Sequence, residues 1–365
     1  MKTVVVGMSG GVDSAVAAAL LVEQGYAVQG VTLQTWEPED PETTSKKWQE
    51  RGCCKVGLAR YVAERLGIPH RVIDIRERFR SAVVHDFIQG YLGGETPNPC
   101  VRCNERVKFG ALVETARALG ADYVATGHYA RIRSDATGRL YLQKGEDLAK
   151  DQTYFLYRLN RSWLPHLLFP VGAMRKEEVW PRAEAIGLPA EEIKESQEIC
   201  FVTKGDYRSF LAEHAPQAEQ PGVFVDMDGT PLGTHRGAAF YTPGQRRGLG
   251  LASDKRLYVV RVDAGSKTVV VGRDENLLAG ACTVREVNLL GMDRIDEPVR
   301  AMVKVRYATP AVPAALLPDR AGRLRIEFDT PQRALSPGQS SVFYQDDLVL
   351  GGGIIETEPS PSRPA

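Results

Sequence analysis

Residues 3–14 read TVVVGMSGGVDS, and this stretch decides the class of fold. The run from Thr3 to Gly7 is rich in β-branched residues, which is typical of a buried strand. The residues from Asp13 to Gln24 are rich in Ala, Leu and Val and predict a helix that Gly25 ends. Glycines between the two elements let the backbone approach a ligand closely, and the N–H groups at the start of the helix attract anions. The stretch therefore predicts a phosphate-binding loop.

Strand and helix signals continue to alternate beyond this loop. Further strands are expected at residues 27–33, 71–75 and 123–126, and further helices at residues 56–66 and 105–119. Such alternation predicts a parallel sheet covered by helices, with right-handed crossovers. We therefore expect an α/β fold with a Rossmann-like parallel sheet.

The loop is not a Walker loop, because it lacks Gly-Lys-Ser/Thr, and it is not the dinucleotide fingerprint. It resembles the loop of the ATP pyrophosphatases (adenine nucleotide alpha hydrolases), and the resemblance implies that it holds the pyrophosphate of ATP. Asp13 is expected to assist a Mg²⁺ ion held mainly by phosphate oxygens. Adenine and ribose are expected over the strand ends, at the switch point of the sheet. The expected ATP-binding residues are Gly7, Met8, Ser9, Gly10, Gly11, Val12, Asp13, Ser14, Leu33 and Gly127.

The pattern changes after about Lys204, where short strand-like runs with turn signals replace the alternation. We expect a catalytic domain over residues 1–204 and a small central β-rich domain over residues 205–280. The spacing of the strand-like runs over residues 281–356 fits a C-terminal antiparallel β-barrel. The tail, residues 357–365, is rich in Pro and Ser and is predicted to be disordered.

Composition limits the class of protein. The 365-residue chain has 46 basic and 46 acidic residues, so any RNA contact must come from local basic patches rather than from an overall positive charge. No apolar run is long enough to span a bilayer, and the N-terminus lacks the apolar core of a signal peptide. A cytoplasmic location is therefore expected.

Six cysteines are too sparse for a disulfide scaffold, and clusters of them point to metal binding or thiol chemistry. Cys100 and Cys103 precede a predicted helix, with Arg102 and Arg106 close by, so lowered thiol pKa values are expected. Three hypotheses stay open. Cys103 and Cys200 exchange sulfur through a persulfide, or Cys100, Cys103 and Cys200 hold an iron–sulfur cluster with one open iron. The third is a zinc site that adds Cys53 and Cys54 to the C-x-x-C pair.

Together these motifs resemble the tRNA-uridine 2-sulfurtransferases over nearly the whole chain. Further shared motifs are ATGHY at 125–129, KDQTYF at 150–155, YTPGQRRGL at 241–249 and SPGQ at 336–339. The resemblance implies ATP-dependent 2-thiolation of the wobble uridine of tRNA, with the base flipped into the catalytic pocket. It implies tRNA as substrate, and a cysteine desulfurase or a sulfur-carrier protein as sulfur source.

The resemblance also assigns residues to roles. Catalysis is expected from Cys103, Cys200 and Cys100, and contact with the target base from Asn98, Pro99 and Cys100. Contact with tRNA is expected from His128, Lys150, Asp151, Gln152, Arg306, Tyr307 and Gln339.

One position departs from the family pattern. Many members carry Asp, with a proton-transfer role, where this chain has Cys100. A third cysteine near Cys103 and Cys200 is what a [4Fe-4S] cluster needs, so the cluster and the persulfide–disulfide cycle both stay open. Another ATP pyrophosphatase-type ligase and a nucleotide-gated tRNA-binding module are the alternatives. Such a ligase would not depend on the cysteines, and a binding module would release no pyrophosphate.

Overall fold

A computed structural model describes residues 1–37, 55–188 and 199–356. The predicted zinc ligands Cys53 and Cys54 and the tail at 357–365 lie outside this part of the chain. By their internal contacts the residues form two units. Unit 1 comprises residues 1–84, 99–205 and 347–349, and unit 2 the remainder.

The helices and strands of the described residues are numbered in chain order. The α-helices are α1 Val12–Glu23, α2 Val56–Leu66, α3 Arg76–Phe79, α4 His85–Leu92, α5 Pro99–Cys103, α6 Phe109–Ala118, α7 Lys176–Ala185 and α8 Tyr207–His214. The strands are β1 Thr3–Gly7, β2 Ala27–Gln34, β3 His70–Asp74, β4 Tyr123–Thr126, β5 Ala130–Ser134, β6 Leu140–Lys144, β7 Leu167–Leu168, β8 Gly222–Val225, β9 Pro231–His235, β10 Tyr258–Asp263, β11 Thr268–Gly272, β12 Leu278–Leu289, β13 Val299–Lys304, β14 Val312–Pro318, β15 Leu324–Arg333, β16 Ser340–Gln345 and β17 Leu348–Ile355.

Unit 1 is built on a parallel sheet with the strand order β3-β2-β1-β4-β7. The middle of β1 is fully buried, as a strand covered on both faces must be. Val4, Val6 and the alanines of α1 pack into one apolar core with residues of α2 and α7. The predicted Rossmann-like sheet is confirmed. Because β1 has neighbours on both sides, the loops after β1 and β4 meet at the switch point where such sheets bind ligands.

Unit 2 contains a four-stranded sheet, β10-β11-β8-β9, and a six-stranded antiparallel barrel. The barrel follows the order β12-β15-β14-β13-β16-β17 and closes where β12 pairs with β17. Apolar side chains of alternate positions fill it, among them Val284, Leu316, Ile326 and Phe343. Cys282 lies in this core, as expected for a structural cysteine. The predicted central β-rich part and C-terminal barrel are confirmed as fold classes.

Three element boundaries differ from the sequence expectation by five residues or more. The helix expected from residue 105 begins at Pro99 instead, so the C-x-x-C pair lies within a helical turn. Proline is favoured there because the first turn of a helix needs no N–H donor from it. The sequence predicts strands at residues 323–328 and 348–350, whereas β15 and β17 run five residues further, to Arg333 and Ile355. Pairing with β12 extends both strands, and pairing between distant segments leaves no local sequence signal.

Candidate functional site: a phosphate loop and a cysteine-bearing helix

The phosphate loop connects β1 to α1 and is shaped by its glycines. Gly10 has a positive φ of 77°, and a Cβ there would lie 2.3 Å from the carbonyl oxygen of Lys55. Only glycine fits such a position. Gly11 is the N-cap of α1 and has no side chain that could occupy the first-turn N–H groups. Those groups are therefore left to bind an anion.

Two serines organise the loop from inside. The Ser9 N–H donates to Ser14 Oγ at 3.2 Å, and Ser14 Oγ donates to the Gly11 carbonyl at 2.9 Å. The two hydroxyl oxygens lie 3.3 Å apart. Thr32 on β2 also donates its hydroxyl to the Met8 carbonyl, at 2.7 Å. The loop is thus held in one shape by its own hydrogen bonds and by the neighbouring strand.

Gly127, which follows β4, lies directly against the start of α1. A Cβ at this position would come within 2.5 Å of the Asp13 carbonyl carbon and of the Ser14 nitrogen. The sequence placed Gly127 beside the ATP loop, and the structure brings the two together. Leu33, the other expected neighbour, is buried near the end of β2.

Sequence reasoning missed two side chains that contact Asp13. Lys176 Nζ lies 2.6 Å from Asp13 Oδ1, and the Tyr129 hydroxyl donates to the same oxygen at 2.8 Å. The Lys176 side chain is only 8% exposed, and its ammonium lies over the Trp180 ring, 4.6 Å from the centroid. Tyr129 lies within the ATGHY motif, but Lys176 lies in no motif and in no helix that the sequence predicts; the structure places it at the start of α7. The loop therefore carries a nearly buried cation.

Helix α5 carries the C-x-x-C pair, and the two cysteines differ in environment. Cys100 is exposed and Cys103 is buried. A π-helical turn, Asn104–Lys108, follows Cys103 directly. Such turns are uncommon and often occur at functional sites.

The expected lowering of thiol pKa is wrong for Cys100. Desolvation by the surrounding protein raises the pKa of this thiol, although its surface remains open to solvent, and the Lys108 charge opposes the rise only in part. Both arginines expected to lower it pair with Glu105, because Arg102 Nη1 lies 3.2 Å and Arg106 Nε 3.8 Å from Glu105 Oε2.

A buried ion-pair network fixes the segment after α5. Glu105 binds Arg102 and also Arg158, whose Nη2 lies 2.7 Å from Glu105 Oε1. Both arginine side chains are less than a tenth exposed. The Asn104 amide donates to the Phe155 carbonyl at 3.1 Å. The cysteine helix is thereby joined to residues 153–158.

Cys200 is half-buried beside Phe201, which is fully buried. The Phe201 ring packs against Phe79 with centroids 5.8 Å apart, and against Trp36 at 6.0 Å. The turn that follows Phe79, Arg80–Val84, contacts helix α5. The segment that carries Cys200 therefore packs on Phe79, and helix α5, which carries Cys103, packs on the next turn, Arg80–Val84.

Among the described residues, Cys100, Cys103 and Cys200 do not form a metal-binding group. Within residues 1–37, 55–188 and 199–356, no three His, Cys, Asp or Glu side chains are arranged to hold a metal ion. This includes Cys100, Cys103 and Cys200, the set expected to hold a [4Fe-4S] cluster. The residues present do not fit that group.

His128, an expected tRNA-contacting residue, is half-buried between aromatic rings. Its Nδ1 lies 2.8 Å from Thr126 Oγ1, and Phe109 and Phe169 lie 5.7 and 6.4 Å from it, centroid to centroid. Burial, with a smaller effect of the Lys108 charge, lowers the pKa of His128 to about 3. The ring is therefore neutral at pH 7 and can contact RNA only by hydrogen bonding or stacking.

The expected tRNA-contacting residues 150–152 differ in their roles within the fold. Asp151 is buried, and its carboxylate accepts bonds from the Thr153 hydroxyl at 2.8 Å and the Gly145 N–H at 3.2 Å. Burial raises the pKa of this carboxyl, against the lowering effect of those bonds. Gln152 Oε1 accepts from the Tyr129 N–H at 3.0 Å. Lys150 is half-buried.

The expected tRNA-contacting residues of the barrel gather around the SPGQ turn, residues 336–339. Arg306 Nη2 donates to the Ser336 hydroxyl at 2.8 Å and to the Ala334 carbonyl. Tyr307 is 39% exposed, and Lys304 Nζ lies 5.2 Å from its ring centroid. Gln339 donates its amide to the Thr96 carbonyl at 2.7 Å.

Within the described residues, no helix is long and apolar enough to span a bilayer.

Comparison with known proteins assigns the family. Residues 2–204 match a family model described as a tRNA methyl transferase HUP domain. Residues 208–273 match a tRNA methyl transferase PRC-barrel domain, and residues 279–355 an aminomethyltransferase beta-barrel domain. A solved 4-thiouridine synthetase–RNA complex with bound ATP is a distant neighbour, with 18% identity, a TM-score of 0.36 and coverage of 59% of this chain and 51% of that one.

Curated relatives match almost end to end. The tRNA-specific 2-thiouridylase MnmA of Moorella thermoacetica is 49% identical over 96% of this chain and 99% of its own length. The MnmA of Acetivibrio thermocellus is 46% identical over 97% of this chain and 99% of its own length. With this match and the HUP-domain model over more than half of its length, the chain belongs to the MnmA family of tRNA-specific 2-thiouridylases, which are sulfurtransferase enzymes.

Proposed function

We propose that this enzyme thiolates C2 of the wobble uridine of tRNA, using ATP to activate the C2 oxygen. The observation that carries the proposal is the phosphate loop. The start of α1, which follows this loop, is open to an anion and is flanked by Gly127 and Lys176. Family membership supplies the substrate class. The proposal extends to a domain division at residues 204 and 280, supported by the family-model matches to residues 2–204, 208–273 and 279–355. It also extends to a cytoplasmic location.

The first step is adenylation. The uridine C2 oxygen attacks the α-phosphorus of ATP, and pyrophosphate leaves. The N–H groups of the loop and of the first turn of α1 stabilise the charge on the departing phosphates, because they are oriented before the ligand arrives. Lys176 adds a positive charge beside the same turn. Adenylation replaces a poor leaving group at C2 with AMP.

Mg²⁺ would be held mainly by phosphate oxygens, where it neutralises charge. Asp13 suits a supporting role because it is about a third exposed, and both of its contacts in the described residues fall on Oδ1. Oδ2 is therefore the oxygen that would face a cation. Lys176 and Tyr129 fix the rotation of this carboxylate.

The second step is sulfur transfer, for which we propose the persulfide route. The terminal sulfur of a Cys200 persulfide attacks C2, a C–S bond forms, and AMP leaves with the C2 oxygen. The Cys103 thiolate then attacks Cys200 Sγ, which releases 2-thiouridine and leaves a Cys103–Cys200 disulfide. A thiol reductant restores both cysteines. A cysteine desulfurase or a sulfur-carrier protein would load the persulfide.

The test is a reconstituted reaction with an unmodified tRNA transcript, ATP and a persulfide donor. We expect one 2-thiouridine per tRNA by nucleoside mass spectrometry, with stoichiometric AMP and pyrophosphate. Absence of 2-thiouridine while another product consumes ATP would identify a different ligase of the ATP pyrophosphatase class. tRNA binding without pyrophosphate release would identify a binding module.

Cysteine variants test the sulfur step. We expect Cys103→Ser and Cys200→Ser to abolish 2-thiouridine formation while ATP and tRNA binding stay near the wild-type level. Cys282→Ala is the matched control, because Cys282 is buried in the barrel core. Retained sulfur transfer in either serine variant would contradict the persulfide route. Iron and sulfide analysis of protein prepared without oxygen tests the cluster, and a cluster bound in proportion to activity would overturn our choice.

A further inference from the structure

We propose that the SPGQ turn of the barrel, residues 336–339, is a clamp that positions the loop presenting Asn98, and that its residues act on turnover through this loop. The inference rests on the proposed thiolation reaction for its functional part, because Asn98 is an expected contact of the target base. The clamp itself is visible in contacts that lie wholly within unit 2, to which both residues 85–98 and the barrel belong.

The first contact is a pair of hydrogen bonds to one residue. The Thr96 N–H donates to the Pro337 carbonyl at 2.7 Å, and the Thr96 carbonyl accepts from Gln339 Nε2 at 2.7 Å. Both backbone groups of Thr96 are therefore satisfied by the SPGQ turn. Two short bonds of this kind fix the backbone direction two residues before Asn98.

The second contact is steric. Gly338 has a φ of 86°, and a Cβ built on it would lie 2.8 Å from the Thr96 nitrogen and 2.9 Å from the Glu95 Cβ. The turn and the loop approach so closely that a side chain has no room. Glycine is thus required here both for its backbone conformation and for the contact.

The third contact is an ion pair that spans 190 residues of sequence. Arg285 on β12 donates from Nη2 to Glu95 Oε2 at 3.0 Å, and both side chains are less than a third exposed. Partial burial strengthens such a pair beyond what an exposed one contributes. The barrel therefore holds the loop by charge as well as by backbone bonds.

The turn itself is held rigidly. The Gly338 N–H donates to the Ile355 carbonyl and the Ile355 N–H to the Gln339 carbonyl, each at 2.9 Å. Arg306 adds its bonds to Ser336 and Ala334. A rigid turn can position a loop, whereas a flexible one cannot. Two residues expected to contact tRNA, Arg306 and Gln339, thus act within the protein as positioning residues.

Hydrogen exchange tests the clamp without reference to catalysis. In tRNA-free enzyme, Gln339→Glu removes the amide donor at nearly constant size, and Gly338→Ala inserts the forbidden Cβ. We expect both variants to increase exchange of the Thr96 amide at least tenfold, with an unchanged rate for the distant β1 amides, which controls for global unfolding. Unchanged protection of Thr96 in both variants overturns the clamp.

Kinetics tests the positioning role. We expect Gln339→Glu to lower kcat for thiolation about tenfold, as displacement of a reacting group does, with a smaller change in KM for tRNA. Glu95→Arg and Arg285→Glu should each lower kcat, and the double variant that exchanges the two charges should recover most of it. If these residues only contacted tRNA, Gln339→Glu would mainly raise KM for tRNA, and the charge-exchanged double variant would not recover kcat. Either result overturns the positioning role.

Different experimental results would overturn the clamp and the proposed function. If wild-type enzyme forms no 2-thiouridine, the proposed function fails, while exchange of the Thr96 amide still decides the clamp. If wild-type enzyme thiolates tRNA and the variants keep its kcat, the positioning inference fails and the proposed function stands.

Discussion

Replacement of Lys176 by Met removes the cation beside Asp13 at nearly constant side-chain volume. The ammonium lies 2.6 Å from Asp13 Oδ1, at the start of α1, and its side chain is 8% exposed against 32% for Asp13. We expect two losses, one in stability and one in the rate of pyrophosphate release. They have separate causes and are measured separately.

The stability loss follows from the geometry of the pair. Two unit charges at this distance attract by roughly 6 kcal/mol at an effective dielectric constant of 20. Much of that is offset by the cost of removing the Lys176 ammonium from water, and the partly exposed Asp13 is screened. We therefore expect Lys176→Met to lower the free energy of unfolding by about 2 kcal/mol. Urea denaturation at constant m-value measures it.

A matched ion pair on the same two helices serves as control. Arg182 on α7 contacts Glu23 on α1 at 3.2 Å, but the two side chains are 47% and 62% exposed. Arg182→Met should change the free energy of unfolding by less than about 0.5 kcal/mol, because exposed pairs contribute little. The difference between the two changes in unfolding free energy therefore measures the effect of burial on an ion pair that joins these two helices.

The rate loss follows from the position of the charge. A fixed donor or cation next to the developing charge is worth about 10²-fold in kcat. We expect Lys176→Met to lower pyrophosphate release by that factor at saturating ATP and tRNA, and Arg182→Met to leave it unchanged. If both variants unfolded at the same urea concentration and released pyrophosphate at the wild-type rate, the assignment of Lys176 to the phosphate loop would be refuted.

Three further predictions concern the loop and its neighbours. Gly127→Ala should weaken ATP binding at least tenfold by calorimetry, because the added Cβ would lie 2.5 Å from backbone atoms of Asp13 and Ser14; unchanged affinity would contradict the close approach. Gly10→Ala should do the same and also lower stability, since both its φ and the Lys55 carbonyl exclude a side chain. Burial lowers the pKa of His128 from 6.5 to about 3 in the folded protein. As the pH falls below 6.5, His128 therefore binds a proton in the unfolded chain but not in the folded one, and the free energy of unfolding decreases. Between pH 7 and pH 5 this loss should be about 1–2 kcal/mol, and His128→Gln should lack it in urea titrations at the two pH values; an equal loss in both proteins would contradict it.

The phosphate loop and its flanking elements could be predicted because each has a local signal. β-branched residues, glycines and an Ala-rich run stand in order over residues 3–24. β4 was predicted with its observed bounds for the same reason. Gly127 could be placed beside the loop because the ends of parallel strands meet at one edge of a sheet.

Lys176 could not be predicted, since its partner lies 163 residues earlier and the contact depends on how α7 packs against α1. The pKa of Cys100 was misjudged for a related reason. Nearby arginines in the sequence suggested a stabilised thiolate, but Glu105 pairs with Arg102 in space, and desolvation dominates. The tRNA contact expected for Asp151 stays a prediction, and the structure shows its carboxylate buried and bonded to the Thr153 hydroxyl.

Residues that are remote in sequence constrain the phosphate loop in addition to its own hydrogen bonds. Gly10 is confined by the Lys55 carbonyl, the first turn of α1 by Gly127, and the Asp13 carboxylate by Tyr129 and Lys176. These constraints are all contacts within the protein itself. In the proposed adenylation, the loop's N–H groups would therefore not need to reorganise when pyrophosphate departs, which is the condition under which backbone dipoles accelerate a reaction. A glycine-rich motif alone supplies a loop that can bend. The packing of α7 and β4 against α1 holds the N–H groups of that loop in a fixed orientation toward an anion.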